Sequence, residues 1–245
     1  MTASPIAGLQ SVSVVVLSAY GGVVLGLMPL LLSALALPDQ LETVADSMAG
    51  GLPRMSGRVL ASLISIMSFE AALTSLWIYF VPVSLEAGHD AEQVATAVGI
   101  CIGAQILGGL AAIAIGRRLG YGVLLGGATV IALGSVLLIE RGADLAIYTI
   151  AVATFGFSWR LAVPYHVELM IAADPSRRFA IFTASAQGLG VAAGPFIASL
   201  AVTEHSVTRV VDVSSVLFLL SLTLFAIVCW RARGLVSRPV SASSL

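Results

Sequence analysis

The sequence predicts an all-α membrane protein of about seven transmembrane helices, from its composition, the length of its apolar runs and the placement of its charges. Of 245 residues, 58% are hydrophobic and 10% are charged, and the mean hydropathy is +1.03. Soluble domains carry about 25% charged residues. A compact monomer of this composition would leave too much apolar surface in water, so lipid is the expected solvent.

Seven apolar runs reach the length of about 20 residues that a membrane-spanning helix needs. They are residues 12–37, 59–85, 92–115, 121–139, 145–172, 179–202 and 211–230. Lipid offers backbone groups no hydrogen bonds, so each run should be helical. Asp90 and Gln93 form a capping-box pattern where the third run begins. We divide the chain into a first transmembrane helix (1–37), a cytoplasmic amphipathic linker (38–57), a six-helix bundle (58–231) and a cytoplasmic tail (232–245).

Arginine placement predicts the orientation in the membrane. Nine arginines fall on one side of the predicted spans: Arg54, Arg58, Arg117, Arg118, Arg177, Arg178, Arg231, Arg233 and Arg238. Arg141 and Arg209 fall on the other. The positive-inside rule then predicts a multi-pass protein of the cell (inner) membrane with a cytoplasmic C-terminus and an N-terminus outside. An outside N-terminus without a signal peptide is unusual, so we expect a segment upstream to be missing or supplied by another chain.

Several function classes are disfavoured by what the sequence lacks. All 12 basic residues are arginine, which excludes Schiff-base chemistry and with it a retinal pigment. A net charge of −1 gives no indication of a nucleic-acid partner. HExxH, GxSxG, CxxC and phosphate-loop motifs do not occur, and His166-x-Glu168 lacks further ligands at a metal-site spacing. We therefore expect no enzyme activity, no cofactor and no metal.

Three local patterns resemble parts of one transporter family. Gly108-Gly109, followed by the loop Gly116-Arg117-Arg118-Leu119-Gly120, resembles a degenerate copy of its glycine/arginine loop motif. The stretch Asp174-Pro175-Ser176-Arg177-Arg178 resembles the short basic loop before its eleventh helix, and Gly190-Val191-Ala192-Ala193-Gly194-Pro195 resembles a glycine-proline signature of its second half. With the predicted topology, these patterns resemble the C-terminal half of the major facilitator superfamily and the helix that precedes it.

The resemblance implies transport of a small solute by alternating access, with the lipid bilayer and that solute as partners. It gives Gly116, Arg117 and Arg118 a role in a conformational loop, and Gly190, Gly194 and Pro195 a role in helix packing. Residues 12–37 would match the family's sixth helix and 59–230 its last six, so the first five helices would be absent. We therefore expect the chain not to transport alone, but with an N-terminal half or as a homodimer. The alternatives are a non-transporting truncated half, a partner-dependent subunit, and a seven-helix sensor or membrane enzyme.

Two charges are predicted near the middle of the membrane. At a rise of about 1.5 Å per residue, Glu70 lies about 18 Å from the cytoplasmic edge and Arg160 about 21 Å from the same edge. A central charge costs a few kcal/mol unless it finds a partner, protein or water. The resemblance places both helices around one cavity. We expect a Glu70–Arg160 pair that acts either as a substrate or proton-coupling site or as a structural lock.

Polar and aromatic neighbours extend this candidate site. His166 could relay protons, Pro164 could kink the helix, and Glu168 lies close enough to the interface to reach water. Trp159 is either a cavity wall or core packing, and its position about 100° from Arg160 on the helix does not imply a contact with it. Gln105 and Gln187 are expected to form helix-to-helix hydrogen bonds, with substrate contact as the alternative. Close helix packing is expected at Gly99/Gly103, Gly122/Gly126 and Gly190/Gly194, and interfacial positions are expected for Trp77, Tyr79 and Trp230.

Overall fold

The computed structural model describes residues 55–116, 118–140, 144–203 and 206–236, with side chains to residue 230. The chain divides into two compact units, residues 1–54 and 55–245, and all described residues belong to the second. The predicted first helix (12–37), nearly all of the predicted linker, Arg117 and the end of the tail lie outside the described residues.

Six helices make up the described part of the chain, and each coincides with one of the last six predicted runs. They are α1 (Gly57–Glu86), α2 (Ala91–Ile115), α3 (Tyr121–Glu140), α4 (Leu145–Ala173), α5 (Phe182–Ser199) and α6 (Arg209–Val236). The capping box at α2 is confirmed: the Asp90 carboxylate accepts from the Gln93 amide N–H at 2.8 Å, and the Gln93 side chain accepts from the Asp90 N–H at 3.2 Å.

Five of these six helices are long and apolar enough to cross a membrane: α1, α2, α3, α4 and α6. The described part is therefore an all-helical, multi-pass membrane protein. The fifth helix, α5, does not meet the same criterion. With 18 residues it is long enough, so it falls short in hydropathy, because serine, threonine, glutamine, proline and three glycines dilute its apolar residues. Its length is about 27 Å at the helical rise, slightly less than the roughly 30 Å hydrocarbon core. The predicted run, 179–202, was longer because it included turn residues on both sides of the helix.

The helices pack as two related groups of three. In the first group α1 packs against α6 and against α5, and in the second α4 packs against α3 and against α2. The remaining large contact joins α3 to α6. If α1, α2 and α3 are exchanged with α4, α5 and α6, this set of contacts maps onto itself. The bundle thus has an internal twofold pattern of helix pairs.

Glycines let the two most extensive helix pairs approach closely. On α5, a Cβ added to Gly190 would meet the Met67 carbonyl and lie 2.8 Å from Glu70 Cβ, and one at Gly194 would meet the Ala71 carbonyl. Between α2 and α4, Gly108 faces the Phe157 carbonyl in the same way. Among the described residues, the expected close packing is absent at Gly99 and Gly103: an added Cβ would have nothing within 4 Å, because neither residue faces another of the six described helices.

Buried hydroxyl groups cross-link α1 to its neighbours. Ser75 donates to the Gly194 carbonyl of α5 at 2.9 Å, and Ser214 of α6 donates to the Ala72 carbonyl at 2.7 Å. Ser65 and Ser221 each donate to the other's carbonyl, at 2.9 and 2.8 Å. Because lipid cannot compensate for these bonds, they fix the register of α1 against α5 and α6.

Candidate functional site

Glu70 lies in the middle of α1, against α4 and α5. Its side chain is only about 5% exposed, and one carboxylate oxygen lies 3.9 Å from Nδ1 of His166 on α4. Gly190 of α5 lies directly against Glu70, so the absence of a side chain at Gly190 makes room for the carboxyl group. A buried carboxyl in an apolar bundle is costly unless it is neutralised or paired, and His166 is placed to do either.

His166 joins the carboxyl group to a third helix. Its ring is 1% exposed, and Nδ1 lies 3.3 Å from the Gln187 amide nitrogen of α5. The edge of the ring packs on Phe69, with ring centroids 5.0 Å apart. We call Glu70, His166 and Gln187 the buried polar cluster. An amide N–H directed at Nδ1 stabilises the neutral imidazole that carries its proton on Nε2, because Nδ1 then accepts the bond.

The cluster can hold a proton in more than one place. A proton on the Glu70 carboxyl leaves a neutral acid beside a neutral imidazole, whereas a proton on Nδ1 gives a carboxylate–imidazolium pair. Both states have no net charge and therefore suit an apolar surrounding. Loss of that proton leaves one negative charge in the cluster, which burial among apolar side chains penalises.

The direct Glu70–Arg160 pair expected from matched depth is not formed. Within the described residues, Glu70 pairs with His166, and Arg160 Nε donates to Gln105 Oε1 of α2 at 3.2 Å. The reason is the angle around α4: positions 160 and 166 differ by six residues, about 120° on the helix, and position 166 faces Glu70. Arg160 and the Trp159 indole nevertheless lie close enough to interact with the Glu70 carboxyl group.

Arg160 also contacts Trp159, a contact that the helical wheel did not imply. Its guanidinium carbon lies 5.8 Å from the centroid of the Trp159 ring. The long arginine side chain bends back over its neighbour, so the 100° between their Cα positions does not keep the two groups apart. Among the described residues, this cation–π contact and the hydrogen bond to the neutral Gln105 amide both stabilise the charge of Arg160.

A groove of about 730 Å³ opens beside the cluster, between α2, α4 and the C-terminal half of α1. We call it the α2–α4 groove. Its described lining is Trp77, Ile102, Gln105, Ile106, Gly109, Leu110, Ile113, Trp159, Arg160, Val163 and Pro164. The two indoles meet edge to face, with centroids 6.0 Å apart. Trp159 therefore belongs to the groove wall and also approaches the buried carboxyl group.

The remaining predicted site residues lie elsewhere. Glu168 is half-buried on α4 and does not line the groove. Gly116 ends α2 with φ +52°, and its carbonyl accepts from the Tyr165 hydroxyl at 3.1 Å. Arg118 is exposed in the same loop, and Pro195 is half-buried within α5. Pro164 lies in a helix that continues on both sides of it.

Trp77 and the two glutamines, Gln105 and Gln187, contact the candidate site, and these contacts were not predicted from the sequence. Trp77, for which the sequence predicts an interfacial position, also lines the groove and packs on Trp159. Its position seven residues after Glu70 puts it on the same face two turns away, a signal present in the sequence. Gln105 and Gln187 do form the predicted helix-to-helix bonds, but their partners are the two site residues Arg160 and His166.

Comparison with known proteins gives no relative: no family model matches the chain, and neither a curated protein nor a solved structure matches it. The case for a function therefore depends on the buried polar cluster, the groove and the pattern of helix packing.

Proposed function

We propose that this chain is a membrane transport polypeptide that moves a small solute in coupling with protons. The observation behind it is the buried polar cluster, in which a carboxyl group 3.9 Å from an imidazole is enclosed by apolar helices. Ionisable groups at this depth are expensive and typically mark ion, proton or substrate pathways. Of the two roles expected for Glu70, proton coupling fits these contacts better than a lock with Arg160.

The α2–α4 groove supplies the solute site in this proposal. Trp159 and Arg160 line it, and both also lie close to the Glu70 carboxyl group. A solute that pairs with the charge of Arg160, or moves it, would therefore change the attraction between Arg160 and an ionised Glu70. Such coupling is reciprocal, so protonation of Glu70 would change the affinity for the solute.

The helix packing supports a major-facilitator-type bundle. Each six-helix half of that family contains two three-helix repeats of inverted topology. Here the helix contacts map onto themselves when α1–α3 are exchanged with α4–α6. Because short loops connect four successive spans, α1 and α4 run in opposite directions, as inverted repeats require. In this proposal α1 and α4 are equivalent helices, and the buried polar cluster lies between them.

Proton-driven solute flux in membrane vesicles tests the proposal. The full chain is expressed, inverted vesicles are prepared, and the internal pH is followed while members of a solute panel are added. Where the chain forms a homodimer or finds a partner in the membrane, we expect solute-dependent proton flux that Glu70→Gln reduces at least tenfold, because glutamine cannot exchange a proton. Glu92→Gln is the matched control, since Glu92 is exposed in the first turn of α2. Equal flux from the Glu70→Gln vesicles would contradict proton coupling at this site.

A partner-dependent subunit is the second candidate, and the open groove favours it. Arg160 is exposed, and a charge at this depth should face protein or water. Alternating access also needs a second body to close the cavity. Proton flux is therefore measured with the purified chain in liposomes and compared with the flux in membrane vesicles. The oligomeric state of the purified chain is determined in parallel. Flux from vesicles but not from a demonstrated monomer supports this candidate, whereas robust flux from a monomer rejects it.

A further inference from the structure

The α2–α4 groove combines a single charge with an apolar wall. Among its described lining residues, Arg160 is the only charged side chain and Gln105 the only other polar one. The remaining lining is aliphatic or aromatic apart from Gly109. A solute that fits these surfaces needs one group that bears negative charge and a larger part that buries apolar area.

Arg160 presents part of its guanidinium for such a group. Its Nε is occupied by Gln105 Oε1 at 3.2 Å, which orients the plane of the guanidinium. Within the described residues, the two terminal nitrogens have no hydrogen-bond partner. Two parallel N–H donors in one plane match the two oxygens of a carboxylate, which an arginine binds in bidentate fashion.

Glu70 does not occupy this position. Its carboxyl group is buried and is directed at His166, 3.9 Å away, and Glu70 is not among the lining residues. Gln105, the direct hydrogen-bond partner of Arg160, is neutral. The guanidinium thus faces the groove without a carboxylate in direct contact, in surroundings where a counter-ion is strongly favoured.

The apolar part of the solute would contact the indoles. Trp77 and Trp159 meet edge to face at 6.0 Å, and the exposed face of an indole in such a pair is suited to stacking on a flat ring. We propose that the α2–α4 groove binds a small organic carboxylate with an aromatic or bulky apolar body, held by Arg160 at its charged end and by Trp77 and Trp159 along its body. That this ligand is the transported solute rests on the proposed function.

Calorimetric titration of the purified full chain in lipid nanodiscs tests the site. The probes are 3-phenylpropanoate, its neutral amide 3-phenylpropanamide, acetate and inorganic phosphate. Because charge-assisted bonds are about twice as strong as neutral ones, we expect the acid to bind at least about tenfold more tightly than the amide. Acetate and phosphate should bind more weakly than the phenyl acid, because neither has an apolar body to cover the indoles.

Two variants of Arg160 separate the effect of its positive charge from that of its planar pair of N–H donors. Arg160→Gln should abolish the preference for acid over amide, and Arg160→Lys should retain only part of it, because an ammonium is a point charge without the planar fork. Trp77→Ala should weaken the binding of the acid and of the amide to a similar extent, so the ratio of their affinities should not change. Arg209→Gln is the matched control, since Arg209 is exposed at the start of α6 and does not line the groove.

Several results would overturn the inference. These are equal affinity for acid and amide, a preference unchanged in both Arg160 variants, phosphate binding as tight as that of the phenyl acid, or no binding of any probe. If Arg160→Gln does not fold, Arg160→Lys and Trp77→Ala still decide. Selective binding of the acid without any solute-driven proton flux would reject the transport proposal and leave the binding inference standing. Proton flux driven by neutral solutes, without selective binding of the acid, would reject the binding inference and leave the transport proposal standing.

Discussion

Glu70 and His166 form a buried pair whose energetic coupling can be measured. Removing one partner leaves the other buried without compensation, which costs more than the lost interaction itself. We therefore expect Glu70→Gln and His166→Asn each to lower the free energy of unfolding, and the double variant to be milder than their sum by about 1 kcal/mol or more. Reversible unfolding in mixed micelles gives the four free energies of the cycle.

A second double-mutant cycle, on Glu70 and Arg160, provides the comparison. Glu70 and Arg160 interact through space but are not joined by an ion pair in the described structure, so Glu70→Gln and Arg160→Gln should show a smaller coupling than the His166 cycle. A larger coupling in the Arg160 cycle would restore the pair that depth alone predicts. Strict additivity in both cycles would remove the energetic basis for the buried polar cluster.

The depth of each site residue in the membrane could be predicted from the sequence, but the side of α4 that faces α1 could not. Counting residues from the loops places Glu70 and Arg160 about 3 Å apart along the membrane normal, and His166 about 6 Å below Glu70. Long side chains span such differences easily. What decides the contact is which side of α4 faces α1, and that depends on how α2, α3 and α5 pack around the two helices.

At the scale of helices, the close approach of α5 to α1 at Gly190 and Gly194 can be tested by alanine substitution. Gly188, on the same helix, provides the control. Alanine at Gly190 or Gly194 would place its Cβ against the backbone of α1, so the two helices must separate. We expect each change to cost about 1–3 kcal/mol of unfolding free energy. Gly188→Ala, where nothing lies within 4 Å, should be neutral or stabilising by up to about 1 kcal/mol.

Thermal unfolding of the three variants in detergent tests this comparison. Because all three substitutions change helix propensity by the same amount, a difference between them reports packing against α1. Gly190→Ala should also disturb the cluster, since its new methyl group would lie 2.8 Å from Glu70 Cβ. Equal stability of the three variants would mean that close approach of α1 and α5 is not needed for folding.

Helix positions were more predictable than helix lengths. The runs 121–139 and 145–172 agree with α3 and α4 to within one residue, because Gly, Asp and charged residues bound them sharply. At α5 the apolar run continues through Phe179 and Ile181 into turns, and hydropathy cannot distinguish an apolar turn from an apolar helix.

At the scale of the whole molecule, α5 decides the topology. Arginine placement predicts that residues 177–178 are cytoplasmic and that Arg209 lies on the opposite side, which requires α5 to cross. Its length of about 27 Å is marginal for a bilayer, where a short helix is accommodated by local thinning at modest cost. Its contact with α1 along Gly190 and Gly194 gives it a spanning partner, so we expect α5 to cross.

Labelling of single cysteines with an impermeant maleimide tests this expectation in intact cells. In a background with Cys101→Ala and Cys229→Ala, we expect labelling of Ser4→Cys and Thr203→Cys but not of Arg178→Cys or Ser243→Cys. Thr203 and Arg178 are both exposed, so the membrane alone should separate them. Permeabilised cells, in which all four cysteines should react, provide the control.

The pairs of positions answer different questions. Labelling of Ser243→Cys with protection of Ser4→Cys would reverse the orientation and remove the topological basis of the family resemblance. Labelling of Arg178→Cys and Thr203→Cys from the same side would mean that α5 does not cross. In that case α2 and α5 would no longer be equivalent helices, the exchange of α1–α3 with α4–α6 would lose its physical meaning, and transport by two inverted repeats would have to be abandoned. The buried polar cluster would then join two spanning helices to a surface or re-entrant one.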